Sequence, residues 1–185
     1  NSGLIINDLT IKDSNIENDV NDTKGSVGVG AFVGYPQASA TITLNNCHLV
    51  DSTVSGGHWT GGLIGMAGGY NGNDGPVFMN LTISNCSVTG STITGKGSAG
   101  GVIGHGSCAA WTNVVIKDTT VSGNTITSTG SSTNKAGSVM GTIGAAGMEA
   151  TAAGQTKQGG AFVTATVSDN AVVSGGTTIT TIYGR

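Results

Sequence analysis

The sequence predicts an all-β fold, a parallel β-helix (β-solenoid) of about five coils, each of three short strands, with variable loops at one corner. Three observations carry this. The stretch Asn80 to Gly104, NLTISNCSVTGSTITGKGSAGGVIG, returns along the chain with altered decoration: ITLNNCHLVDSTVSGGHWTGGLIG upstream, VVIKDTTVSGNTIT and then AGSVMG downstream, with worn copies at both ends. Repetition at this period marks stacked units, each needing a neighbour to bury its apolar face. Within each copy apolar and polar residues alternate with period two, and no helical period competes. Finally, 33 Gly and only 9% charged and 4% aromatic residues suit a narrow interior lined by small aliphatics.

The first strand of each copy is read from an anchor column, Ile11, Leu44, Ile83, Ile116 and Val167, with Leu9, Ile42, Leu81, Val114 and Ala165 two residues earlier. Two residues after each anchor stands an Asx: Asp13, Asn46, Asn85, Asp118 and Asp169. Asn and Asp tolerate tight turns, so these five are expected to stack as one ladder at one corner. The second strand follows from Ile16, Leu49, Val88, Val121 and Val172, then Val20, Val54, Ile93, Ile126 and Ile179. The third is GAFVG, GGLIG, GGVIG and GSVMG at Gly30, Gly61, Gly100 and Gly137, and TIYG at Thr181, whose glycines suit sharp corners and close backbone approach. All of 1–185 is expected to form one domain, with coils at 4–34, 40–65, 77–104, 110–141 and 161–184.

Insertions fall at one place. From first-strand anchor to second-strand aliphatic the spacing is ten residues in the three inner copies, nine in the first and twelve in the last. From the third strand to the next anchor it runs 11, 19, 13 and 27. Variation confined to one edge of a repeat stack commonly marks its binding face. Tyr35, Tyr70, Asn71, Asn73, Asp74 and His105 lie there and are the candidate binding residues, with Tyr35 and Tyr70 expected to be exposed.

Composition narrows the partners. A net charge of −3 with 7 Lys+Arg gives no basic footprint for nucleic acid or anionic lipid. No apolar run approaches the ~20 residues of a membrane-spanning helix, so no membrane insertion is expected. The chain starts at Asn1 without a signal peptide and is read as a mature or excised piece. Its Ser, Thr, Asn and Gly content with few charges suggests an extracellular or cell-surface setting. Cys47 and Cys86 share a repeat position on adjacent copies, close enough either for a disulfide or for two thiols packed as small hydrophobes; Cys108 is left over.

GGLIG at Gly61 to Gly65, followed by NLTISNC at Asn80 to Cys86, and GGVIG at Gly100 to Gly104 resemble the GLUG-type repeats of bacterial surface proteins and, more broadly, the right-handed parallel β-helices of adhesins and polysaccharide-active proteins. The resemblance implies a secreted or wall-attached module, adhesive or spacer in role. Ser138 in the fourth copy and the missing Gly pair in the fifth depart from it.

Catalytic chemistry is not indicated, and neither cofactor nor metal is expected. Asp13, Asp118 and Asp169 are better explained as corner residues than as the paired carboxyls of glycan hydrolysis, and Asp74 and Glu149 lie on loops a coil apart. Glu17, Asn18, Asp19, Asn21 and Asp22, or Asn71, Asn73 and Asp74, match no calcium loop. His48, His58 and His105 share no metal spacing and are read as ordinary loop residues. Ranks at Thr92/Thr94, Thr125/Thr127 and Thr178/Thr180 raise a minor alternative, an ice-binding lattice. The expected function is a non-catalytic surface module, structural or adhesive, binding a glycan or host-surface ligand through the variable corner. The alternative is a filament subunit stacking end to end through open strand edges.

Overall fold

The computed structural model describes residues 2–18, 27–36, 40–67, 70–71, 75–76, 79–106, 112–130, 135–143, 150–152, 155–157, 160–174 and 177–179. Among them every regular element is a β-strand, and equivalent strands of successive copies pair in parallel. Four ladders result, not three. The first joins Ser2–Lys12, Ala40–Val50, Met79–Ser84 with Ser87–Thr89, Thr112–Ser122 and Gly160–Ser168. The second joins Asn15–Asn18, Thr53–Gly56, Thr92–Gly95, Thr125–Ser128 and Ala171–Ser174. The predicted third strand is split by its glycines. Gly28–Gly30, Trp59–Gly61, Ser98–Gly100 and Ala136–Gly137 make a third ladder; Ile64–Ala67, Ile103–Gly106 and Met140–Ile143 make a fourth, which Val33 joins by a single bridge.

The core is a set of aliphatic columns. Leu44, Ile83 and Ile116 are direct partners, as are Val54, Ile93 and Ile126, and all six are fully buried. Each such side chain contributes roughly 1.5–3 kcal/mol by leaving water. Leu63 and Ile64, Val102 and Ile103, and Val139 and Met140 are adjacent in sequence yet both buried. The bend between the third and fourth ladders brings both neighbours inward.

In the first ladder the end copies sit four or five residues away from the predicted alignment. Ile6, not Ile11, pairs with Leu44; Ile11 pairs with Leu49 and Ile16 with Val54. At the other end Val163 pairs with Ile116 and Val167 with Val121. Apolar residues recur every five positions, so a slide of five lays Ile on Ile, and local pattern cannot tell the two registers apart. Pairing decides, because this register engages Ser2–Lys12 along its whole length. Val20 lies outside the described residues. Ile179 does not continue the second ladder: Thr177–Ile179 folds back antiparallel on Ala171–Ser174, with Ile179 opposite Val172. The two residues between them, Gly175 and Gly176, are a dipeptide favoured in two-residue hairpins. TIYG at Thr181 to Gly184 lies outside the described residues.

The single predicted Asx ladder is two ladders. Asp8, Asn46, Asn85 and Asp118 occupy a first corner at φ of 56°, 53°, 54° and 50°. Asp13, Asp51 and Asp169 occupy a second at 49°, 46° and 56°, completed by Gly90 and Gly123 at 60° and 65°. Left-handed backbone is what Asn, Asp and Gly accept with least strain. The five-residue slide had merged the two corners. The last copy lacks the first corner, and its pairing shifts register between Ile116 and Thr119.

One device follows each corner. Ser14, Ser52 and Ser91 donate their hydroxyls to the carbonyl two residues back, at Lys12, Val50 and Thr89 (2.8, 2.7 and 3.0 Å). Ser52 and Ser91 also accept the backbone N–H of the equivalent residue one copy earlier (3.1 and 3.2 Å). At the first corner Cys86 plays the same part, its thiol donating to Ser84 O (3.2 Å) and accepting from Cys47 N (3.4 Å). Cys47 and Cys86 are free and buried. They serve as corner donors as well as small hydrophobes.

Candidate functional site

The predicted recognition edge begins where the third ladder turns into the fourth. A methyl on Gly61 would collide with the carbonyl oxygen of Ile64 and fall 2.6 Å from Gly104 N; one on Gly104 would lie 2.5 Å from Thr60 N. The two ladders therefore meet backbone to backbone, which only glycine permits. Side chains gather next to this contact. Trp59 stands in a column with Gly28 and Ser98, and His105 in one with Met66 and Thr142. The columns face each other, as a hydrogen bond between Ser98 and Thr142 shows.

There an aromatic cluster forms. The His105 ring stacks on the Trp59 indole at 5.1 Å and 23°, while His58 and Tyr35 approach it edge-on at 5.2 Å and 6.0 Å. Stacked and T-shaped arrangements at these distances are the favoured geometries of aromatic pairs. His58 packs over Gly97, where a methyl would meet its ring at 2.9 Å. The Nδ1 atoms of His58 and His105 are both shut off from solvent and have no hydrogen-bond partner among the described residues. Burial, and then the nearby charge of His58, lower His105 from the usual 6.5 to about 4. Burial likewise raises the Tyr35 phenol.

Of the six predicted binding residues the structure brings Tyr35 and His105 together. Tyr35 is half-buried rather than exposed, because its ring packs against Trp59. His105, read from sequence as an ordinary loop residue, is a strand residue within Ile103–Gly106, and Met66 lies in the strand Ile64–Ala67. Tyr70–Asn71 pairs antiparallel with Gly75–Pro76 inside the longest of the inner insertions, so Tyr70 and Asn71 lie on a hairpin separate from this cluster's strands. Asn73 and Asp74 lie outside the described residues, as does Cys108. Of the predicted Asx residues, Asn46 donates to Asp8 (2.7 Å) and Asn85 to Asn45 (3.0 Å), within the first ladder.

No protein-family model, no curated protein and no solved structure matches this chain. Function therefore rests on residues and geometry.

Sequence reasoning passed over Trp59 and Met66 and read His58 as an ordinary loop residue. The available signal was Trp59 itself, a large aromatic in a column otherwise filled by Gly28 and Ser98. Its stacked face is covered by His105, so this side of the indole is not an open platform for a sugar ring. No group of three or more His, Cys, Asp or Glu side chains converges among the described residues. What the cluster offers is two imidazoles, a thioether in register with one of them, and an indole face.

The threonine ranks are short. Thr92 and Thr125 are exposed beside half-buried Thr94 and Thr127, but the fifth copy places Ala171 and Val173 there. Thr178 sits opposite Val173 in the antiparallel hairpin.

Proposed function

We propose that the chain is a β-solenoid module of an extracellular or cell-surface protein, non-catalytic, serving as a stiff structural or adhesive segment. The observation that carries this is the unbroken order of the ladders. In each, copies pair in chain order; the two longest connections, Ala67 to Met79 and Ile143 to Gly160, run from the fourth ladder to the next copy's first, while shorter ones such as Asn18 to Gly28 join the second ladder to the third. Such a stack resists bending because every rung is hydrogen-bonded to its neighbours, while the corner loops vary freely. The resemblance of GGLIG and GGVIG to GLUG-type repeats supports a surface setting. A glycan and matrix-protein array, probed with the purified chain and with a Tyr70→Ala/Asp74→Ala variant, tests the adhesive role. Signal on a defined ligand set that the variant loses supports recognition at the corner. Signal untouched by both changes removes the corner, and glycan cleavage on the array removes the non-catalytic reading.

A second reading, the end-to-end filament, draws on the first copy. Leu4 and Leu9 hold the positions that Ile42 and Cys47 fill in the second copy, yet they are 41% and 44% exposed, and among the described residues no strand pairs with the other edge of Ser2–Lys12. The far edge of the second ladder differs, since Thr177–Ile179 lies across it. Head-to-tail stacking would have to displace that hairpin strand.

A further inference from the structure

We propose that His58, His105 and Met66, beside the Trp59 indole, form a binding site for a soft monovalent cation, Cu(I) or its surrogate Ag(I).

The two Nδ1 atoms start the case. A buried polar atom left unpaired costs about 1–3 kcal/mol, and two within one cluster are best relieved by one shared ligand. Both rings approach the same indole, at 5.2 and 5.1 Å, and the charge of one acts on the other. The Met66 thioether supplies a third donor: Met66 is the direct parallel partner of His105 and only 5% exposed. Paired strands lie about 4.8 Å apart, within reach of a Met side chain.

The chemistry of this donor set selects the ion. Imidazole and thioether are neutral, and no carboxylate or thiolate joins them among the described residues. A divalent ion such as Zn(II) would keep its full charge in a half-buried place, whereas Cu(I) carries one charge and favours thioether and imidazole.

The test is calorimetric titration of Ag(I) into the chain carrying Cys47→Ser, Cys86→Ser and Cys108→Ser, since thiols would outcompete the site. Serine keeps the corner hydrogen bonds that Cys47 and Cys86 make. One ion per chain is expected, weakened about a hundredfold by His58→Phe or His105→Phe, which preserve the ring packing, and about tenfold by Met66→Leu. Nitrogen-15 spectra of the histidine rings give a readout that needs no site variant. Ag(I) should shift His58 and His105 but leave His48, whose two ring nitrogens already bond Ser87 and Asn46. Absence of binding, as expected if water bridges the nitrogens, overturns the proposal. So does binding that ignores both Phe changes, or tighter binding of Zn(II) than of Ag(I).

Discussion

Asn124 and Asn170 are joined side chain to side chain at 2.9 Å, and Asn170 Oδ1 also accepts the Asn124 backbone N–H at 3.0 Å. Asn124 Oδ1 in turn accepts Ser91 N, and its amide donates to Val88 O. In the fourth copy the carboxamide thus accepts the preceding copy's N–H as the Ser52 and Ser91 hydroxyls do in the second and third, but donates to the preceding copy instead of two residues back. Asn124→Ala would leave Ser91 N and Val88 O unpaired in the interior, and should cost about 2–4 kcal/mol. Asn124→Ser should cost less than half of that. Urea denaturation of both variants checks the order; equal losses would mean that the column acts through packing alone.

Glycines of two kinds should respond in opposite ways. Gly61→Ala drives a methyl into the Ile64 carbonyl and should destabilise by more than about 3 kcal/mol. Gly123 lies at φ 65° with only Gly90 N, 3.8 Å away, near its absent side chain, and it shares a corner with Asp13, Asp51 and Asp169. Gly123→Asn should be neutral or slightly stabilising, because the unfolded chain loses freedom while the corner keeps its conformation. Melting temperatures decide between them.

His105 makes stability depend on pH. Its folded pKa, about 4, lies below the unfolded value of about 6.5, so between these values the unfolded chain binds the extra proton. The contribution is fully present above pH 6.5 and is lost as pH falls to about 4, to a total on the order of 3 kcal/mol. His105→Met, which repeats its neighbour Met66, should flatten this part of the denaturation-midpoint profile. An unchanged slope would place the titration elsewhere.

On the filament reading, the exposed Leu4 and Leu9 are covered by a second molecule. Leu4→Glu/Leu9→Glu would then return associated chain to monomer in sedimentation velocity while shifting the melt by only a few degrees, since both side chains are already partly in water. Identical monomer before and after the change would leave only the single-module reading.

The inner copies were legible from sequence because their evidence is redundant. Leu44, Ile83 and Ile116 align under any sensible superposition, and their flanking Asn46, Asn85 and Asp118 align with them. The candidate site was legible only as an edge: Tyr35 and His105 flank the glycine motif, but nothing in their spacing announced Trp59 as the ring between them. Contacts between one copy's third ladder and the next copy's fourth join residues 46 apart, such as Trp59 and His105, and such distances leave no periodic trace.

By itself the sequence determined the repeat, the strand period, the parallel order of the copies and the edge where the longest insertions collect, because each is written in residues that recur at fixed intervals. Tertiary structure alone decided the register of the end copies, the division of one Asx column into two corners, the fold-back at Thr177–Ile179 and the meeting of His58, Trp59 and His105. Apolar residues spaced by five satisfy two registers equally well in a single strand, and only hydrogen bonds and packing against a neighbouring copy make one of them lower in free energy.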